Sequence, residues 1–135
     1  MSSRRVRRDA PYTCPVELTL DVIGGRWKPL ILWEVRAGAR GFGALQAALP
    51  GVSHKVLTEQ LRQLVRDGVL ARTERTGGAR DRRRRVDYAL TPFGRTLRPC
   101  LAALGRWAKA HHAAVGATLA YVDHTASGGW APDAH

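Results

Sequence analysis

One stretch, from Val52 to Thr91, constrains this chain more than any other. Within it Leu57, Leu61, Leu64 and Val65 fall at i, i+4, i+7 and i+8, the spacing that gathers apolar side chains on one stripe of a helix. Ser53 precedes that stripe as a good N-cap, since its hydroxyl can accept from the free N–H groups of the first turn. Asp67-Gly68 stops the helix. Two short strand-like runs follow, Val69 to Arg75 and Arg84 to Thr91; in the second, Val86, Tyr88 and Leu90 alternate with Arg85, Asp87 and Ala89, the period of a half-buried strand. Between them lies the loop Thr76-GGARDRRRR-Val86. A helix with one charged face, followed by a cationic hairpin, suits a DNA duplex: the helix fits a major groove and the hairpin reaches neighbouring phosphates.

The flanking segments extend the pattern. Cys14-Pro15 opens a helix with Pro15 at its first position, Val16, Leu20 and Ile23 share a face, and Gly24-Gly25 ends it. A second helix starts near Trp27-Lys28-Pro29 and is apolar on nearly every side, through Leu30, Ile31, Leu32, Trp33 and Val35, which predicts a central, buried position. Phe42, Leu45 and Leu49 mark a short third helix ending at Pro50-Gly51. After the hairpin, Thr91-Pro92 starts a long helix whose stripe runs through Phe93, Leu97, Leu101, Leu104, Ala108 and His111, with a local kink expected at Pro99. The order gives a mainly α protein with a small β-hairpin, an α+β winged helix-turn-helix with flanking N- and C-terminal helices. Residues 1–12 are expected to be a basic flexible arm, 13–115 the domain with its C-terminal helix, and 116–135 a disordered tail.

Charge narrows the partner. The 135 residues carry 22 Lys+Arg against 11 Asp+Glu, a formal net charge of +11. Arg4, Arg5, Arg7 and Arg8 contribute +4, and Arg80 with Arg82 to Arg85, less Asp81, another +4. Clustering of this kind marks a polyanion binder with contact arms, where a general arginine bias would spread the charge. No apolar run is long enough to span a bilayer, and no apolar stretch follows the basic N-terminus, so a cytoplasmic, nucleoid-associated protein without membrane contact is expected.

The ordered phrases Cys14-Pro15-Val16, Leu20-Asp21-Val22-Ile23-Gly24-Gly25-Arg26-Trp27, Ile31-Leu32-Trp33-Glu34, Phe42-Gly43-Ala44-Leu45, Val52-Ser53-His54-Lys55-Val56-Leu57-Thr58, Leu61-Arg62-Gln63-Leu64, Asp67-Gly68-Val69 and Val86-Asp87-Tyr88-Ala89-Leu90-Thr91, then Gly94, Leu97 and Trp107, resemble the HxlR-type family of bacterial winged-helix transcriptional regulators over roughly residues 14–110. The resemblance implies a homodimer whose flanking helices pair and which presents two recognition helices to a palindromic operator on double-stranded DNA. It also implies that a cysteine in the first helix, here Cys14, senses electrophiles or oxidants in some members. Two departures stand out. Members often carry a basic residue and a Glu around the phenylalanine motif, where this chain has Gly41 and Ala44, leaving Arg40 as the candidate phosphate contact. The wing, Gly77-Gly78 and the arginine run, is more basic than the family's.

The expected DNA-binding residues are therefore Arg40, Ser53, His54, Lys55, Thr58, Glu59, Arg62, Arg80, Arg82, Arg83 and Arg84. His54, Lys55 and Glu59 are the candidates for base edges, because bases are read near the N-terminus of a recognition helix; Ser53 and Arg62 are better placed for phosphates. A solvated amphipathic helix shows the same face by itself, and a flexible charged turn the same loop. The order of elements and the self-repulsion of five arginines favour DNA. For Cys14, backbone N–H groups and the macrodipole at a helix N-terminus stabilise a thiolate; the plain alternative is a small capping residue. Cys100 lies on an apolar stripe and reads as inert. His111, His112, His124 and His135 lack a completing acid or thiol set, so no metal and no cofactor is expected, and no nucleophile–base pair or phosphate loop supports an enzyme. The expected function is a sequence-specific, homodimeric repressor responsive to an oxidant or electrophile. The alternatives are regulation by a small-molecule effector without thiol chemistry, and a non-specific architectural nucleic-acid-binding protein.

Overall fold

The computed structural model describes residues 4–76 and 84–120. Its elements in order are α1 (Pro15–Ile23), α2 (Lys28–Val35), β1 (Arg40–Gly41), α3 (Phe42–Ala48), α4 (His54–Arg66), β2 (Leu70–Thr76), β3 (Arg84–Leu90), α5 (Pro92–Arg95) and α6 (Arg98–His111), closed by a 3-10 turn at His112–Val115. The strands form one antiparallel sheet in the order β1-β3-β2, with Leu70 opposite Leu90, Thr76 opposite Arg84 and Arg40 opposite Tyr88. The chain is thus a winged helix, α+β, whose sheet has a third strand. The expected hairpin is β2–β3, and β1, too short to show any period, pairs along its β3 edge.

The core forms where four surfaces meet. α4 supplies Leu57, Leu61 and Leu64, all but fully buried, and α2 supplies Ile31, Leu32 and Val35. Leu45 and Leu49 come from the α3 region, and Val69, Leu70, Tyr88 and Leu90 from the sheet. Each fully buried Leu of this kind is worth about 1.5–3 kcal/mol relative to leaving it exposed, so α4 is held by packing rather than by helix propensity. Its C-terminal end is a Schellman turn: the Val69 N–H bonds Leu64 O at 3.0 Å and the Gly68 N–H bonds Val65 O at 3.0 Å. Gly68 takes φ +78 to make it, a conformation that costs a residue with a Cβ.

Two expectations are corrected. α2 is not buried all round: Leu30 remains 44% exposed. The helix expected from Pro92 onward is two helices. Pro99 lacks an N–H and its ring would strike the carbonyl four residues back, so helix ends at Arg95 and restarts at Arg98 with Pro99 in the new first turn. Along the stripe on α5 and α6, Leu101 is in the core, whereas Phe93, Leu104 and His111 are exposed. Thr91 caps α5 as expected, accepting from the Gly94 N–H at 2.8 Å. Gly94 sits so close to Val69 O that a Cβ would lie 2.1 Å from it.

The N-terminal segment also departs from the free arm expected of it. Arg4 pairs with Asp21 at 2.9 Å, Arg7 with Glu17 at 2.9 Å and Arg8 with Asp67 at 3.4 Å. These partners lie ten or more positions away in sequence, on α1 and at the end of α4, where no local pattern announces them.

Candidate nucleic-acid interface

α3 and α4, joined through the tight turn at Gly51 (φ +90), make the helix-turn-helix. Ser53 caps α4 as expected, its Oγ accepting from the Val56 N–H at 3.1 Å. With Leu57, Gln60, Leu61, Gln63 and Leu64 buried, rotation about the axis leaves Ser53, His54, Lys55 and Arg62 exposed, with Thr58 and Glu59 half-buried beside them. The structure therefore brings six of the expected residues onto one surface.

Their chemistry is not equal. Lys55 is exposed and makes no ion pair or hydrogen bond among the described residues, so its ammonium can meet an acceptor without breaking a contact. Glu59 is engaged, accepting from Gln63 Nε2 at 3.1 Å and lying 3.8 Å from Arg62 Nη1. The Thr58 hydroxyl donates back to His54 O at 2.7 Å, which leaves its oxygen's lone pairs as acceptors. The His54 ring rests on Phe42, centroids 4.7 Å apart, so α3 orients the first residue of α4.

Between α4 and the sheet opens a groove of about 370 Å³ whose walls include Phe42, His54, Thr58, Arg62, Arg72 and Tyr88. Arg72 was not among the expected residues. It hydrogen-bonds Glu74 at 3.0 Å, and that bond, followed by one to Tyr88, raises its pKa above the usual arginine value. The signal for it was available, as an outward position of a strand that pairs beside Tyr88. Across the same sheet Arg75 pairs with Asp87 at 2.6 Å.

The other expected residues are placed differently. Arg40 lies on β1 opposite Tyr88 and 3.7 Å from Glu34, on the sheet's far edge from β2. Arg80, Arg82 and Arg83 lie outside the described residues, and Arg84 opens β3 opposite Thr76. Cys14 is the N-cap residue of α1, exposed, with Pro15 following it and no hydrogen bond from its side chain to the helix. Cys100 is half-buried against the core.

The residue that sequence reasoning passed over is Lys28. It is fully buried, donating to Arg4 O at 2.7 Å and Asp21 O at 3.4 Å. Burial pushes its pKa below the usual lysine range, opposed by Asp67, then Asp21 and Glu59. A lysine seven positions after an aspartate and just before the apolar run Leu30–Leu32 was a readable hint of an inward-facing charge.

Known proteins share this architecture. The family model described as HxlR-like helix-turn-helix matches residues 22–115. The uncharacterised HTH-type transcriptional regulator YdeP of Bacillus subtilis is 40% identical over 94 residues, 70% of each chain; YybR of the same organism is 37% identical over 98 residues, 73% of this chain and 75% of that one. Among solved structures, the redox regulator HypR in its reduced form superposes with a TM-score of 0.69 at 34% identity, covering 76% of this chain and 98% of that one. Reduced YodB from B. subtilis gives 0.62 at 26%, covering 72% and 92%. A capped α4 with an open polar face, a Schellman stop, an antiparallel wing and these likenesses converge: the chain belongs to the HxlR-like helix-turn-helix family.

Proposed function

We propose that this protein is a sequence-specific, homodimeric transcriptional regulator that binds double-stranded DNA through α4 and its wing and acts as a repressor by blocking promoter access. The observation that carries the reading is the exposed face of α4, whose N-terminal turn offers His54 and the free ammonium of Lys55. Lysine suits the guanine acceptors of a major groove, Glu59 can accept from a cytosine amine, and Ser53, Thr58 and Arg62 can reach the phosphates on either side. Arg40 and the wing residues Arg80, Arg82, Arg83 and Arg84 complete the backbone contacts. The likeness to the HTH-type transcriptional regulators YdeP and YybR supports the same assignment.

Dimerisation is supported by apolar surface on the flanking helices. Val16 and Leu20 on α1 and Leu104 and Trp107 on α6 are 41–64% exposed, and a groove between α1 and α6, lined by Leu20, Ile23, Leu101 and Leu104, is shaped for a neighbouring helix. Exposed apolar groups gathered in this way mark an interface. Two copies would present two α4 helices to a palindromic site.

The test is competition binding at physiological salt, the gene's own upstream region against bulk DNA. A specific regulator prefers its site by about a thousandfold or more, and Lys55→Ala loses about 1–3 kcal/mol of that preference. Equal affinity for both DNAs leaves an architectural binder as the better description. Promoter activity should rise when the gene is deleted; a fall reverses the sign of regulation.

Response to an electrophile rests on Cys14, an accessible thiol at a helix N-terminus, and on the likeness to the redox regulator HypR. Addition to a quinone forms one C–S bond, the ring taking up the thiol proton on oxygen. Operator affinity should fall after quinone treatment in the wild type and hold in Cys14→Ser. The same affinity in all samples removes the thiol from the account.

A further inference from the structure

We propose that residues 4–12 are a strap that positions the C-terminal end of α4, with Arg8 as its clamp, rather than an arm that contacts DNA. This rests on α4 being the DNA-reading helix. The strap is fastened at three points. Arg4 holds Asp21 through its guanidinium and receives the buried Lys28 ammonium on its carbonyl. Tyr12 Oη accepts from the Arg7 N–H at 2.9 Å and donates to Asp21 Oδ2 at 2.6 Å, while the Arg7 guanidinium lies over its ring. Arg8 Nη2 donates to Arg66 O at 3.1 Å and to Asp67 Oδ1 at 3.4 Å.

That last contact falls where α4 needs it. The carbonyls of a final turn carry partial negative charge and lack intrahelical donors. Asp67, the C-cap residue, has its side chain only 7% exposed, and its other oxygen Oδ2 has no hydrogen-bond partner among the described residues. A cation at this end satisfies one carbonyl and neutralises a carboxylate that the fold has largely removed from water. The buried Lys28 ammonium donates to Arg4 O and to Asp21 O, so the strap is tied to α1 and α2 as well as to the end of α4. Arg4, Arg7 and Arg8 would have to give up these contacts to reach a phosphate.

The experiment combines two readouts on Arg8→Ala and Arg8→Lys. Hydrogen exchange in the free protein should quicken at the α4 amides near Gln63 to Asp67 in Arg8→Ala. Operator affinity should drop about two- to fivefold, as for loss of a cation at a helix C-terminus, with the salt slope of binding unchanged. Arg8→Lys should restore most of both. A slope reduced by about 0.9 with unchanged exchange means that Arg8 meets a phosphate directly, and the proposal is overturned. Faster exchange with unaltered affinity overturns it as well. If the wild type itself shows no preference for operator DNA, the reading of α4 has failed; if only the variants behave otherwise than stated, the strap has failed.

Discussion

The N-terminal basic segment and the exposed face of α4 look interchangeable in the sequence, each a set of cations within reach of a polyanion. The structure separates them. Arg4, Arg7 and Arg8 all find carboxylates of the same chain, on Asp21, Glu17 and Asp67, whereas Lys55 on α4 finds none among the described residues. The same contrast holds between two lysines: Lys28 is fully buried with its ammonium on two backbone carbonyls, Lys55 exposed. A cation's sequence neighbourhood says how much charge a segment carries; only the acids folded against it say whether that charge is open to a ligand.

The largest effect expected from this comparison is on stability. Lys28→Ala empties a fully buried position and leaves Arg4 O and Asp21 O without their donor, and should cost about 2–5 kcal/mol in denaturant unfolding, while Lys55→Ala should stay within about 0.5 kcal/mol and act on DNA binding alone. A mild Lys28→Ala would break the contrast. Next in size, neutralising Arg82 and Arg83 together should lower the salt slope of operator binding by nearly two, since each phosphate contact contributes about 0.9; an unchanged slope removes the wing contacts. Ser53→Ala, which deletes the cap on the Val56 N–H, should cost about 1 kcal/mol, measurable as a shifted midpoint at constant slope in urea. The smallest effect is a pH dependence. Burial lowers the folded-state pKa of Lys28 below its ordinary value of 10.5, so between the two values the unfolded chain binds more protons. Stability conferred at this position should therefore rise as pH climbs through that window. In Lys28→Met this rise should vanish, compared with the wild type by urea midpoint at each pH.

How much of this was legible follows from the range of the forces. α4 could be read because Leu57, Leu61 and Leu64 repeat with the helix period and Gly68 ends it with a turn that glycine favours. The N-caps Ser53 and Thr91 were readable for the same local reason. β1 was not, since Arg40-Gly41 gains its character only by pairing with Tyr88 and Asp87 across the sheet. The break before Arg98 needed a steric argument about Pro99 that a kink also satisfies. The strap was hidden most deeply: Arg8 and Asp67 are 59 positions apart, and nothing in either neighbourhood points to the other. Ser53, His54, Lys55, Thr58, Glu59 and Arg62 come together on one surface because five of them follow the helix period from the Ser53 cap, whereas Arg72 enters the adjoining groove only through the folding of the sheet against α4.

The most direct test of the contrast is amide hydrogen exchange of the full chain with and without its operator duplex. Protection on binding should appear at the N-terminal half of α4, residues 53–62, and in the β2–β3 hairpin, and should leave residues 4–12 unchanged. Protection at residues 4–12 with none along α4 would contradict the account outright.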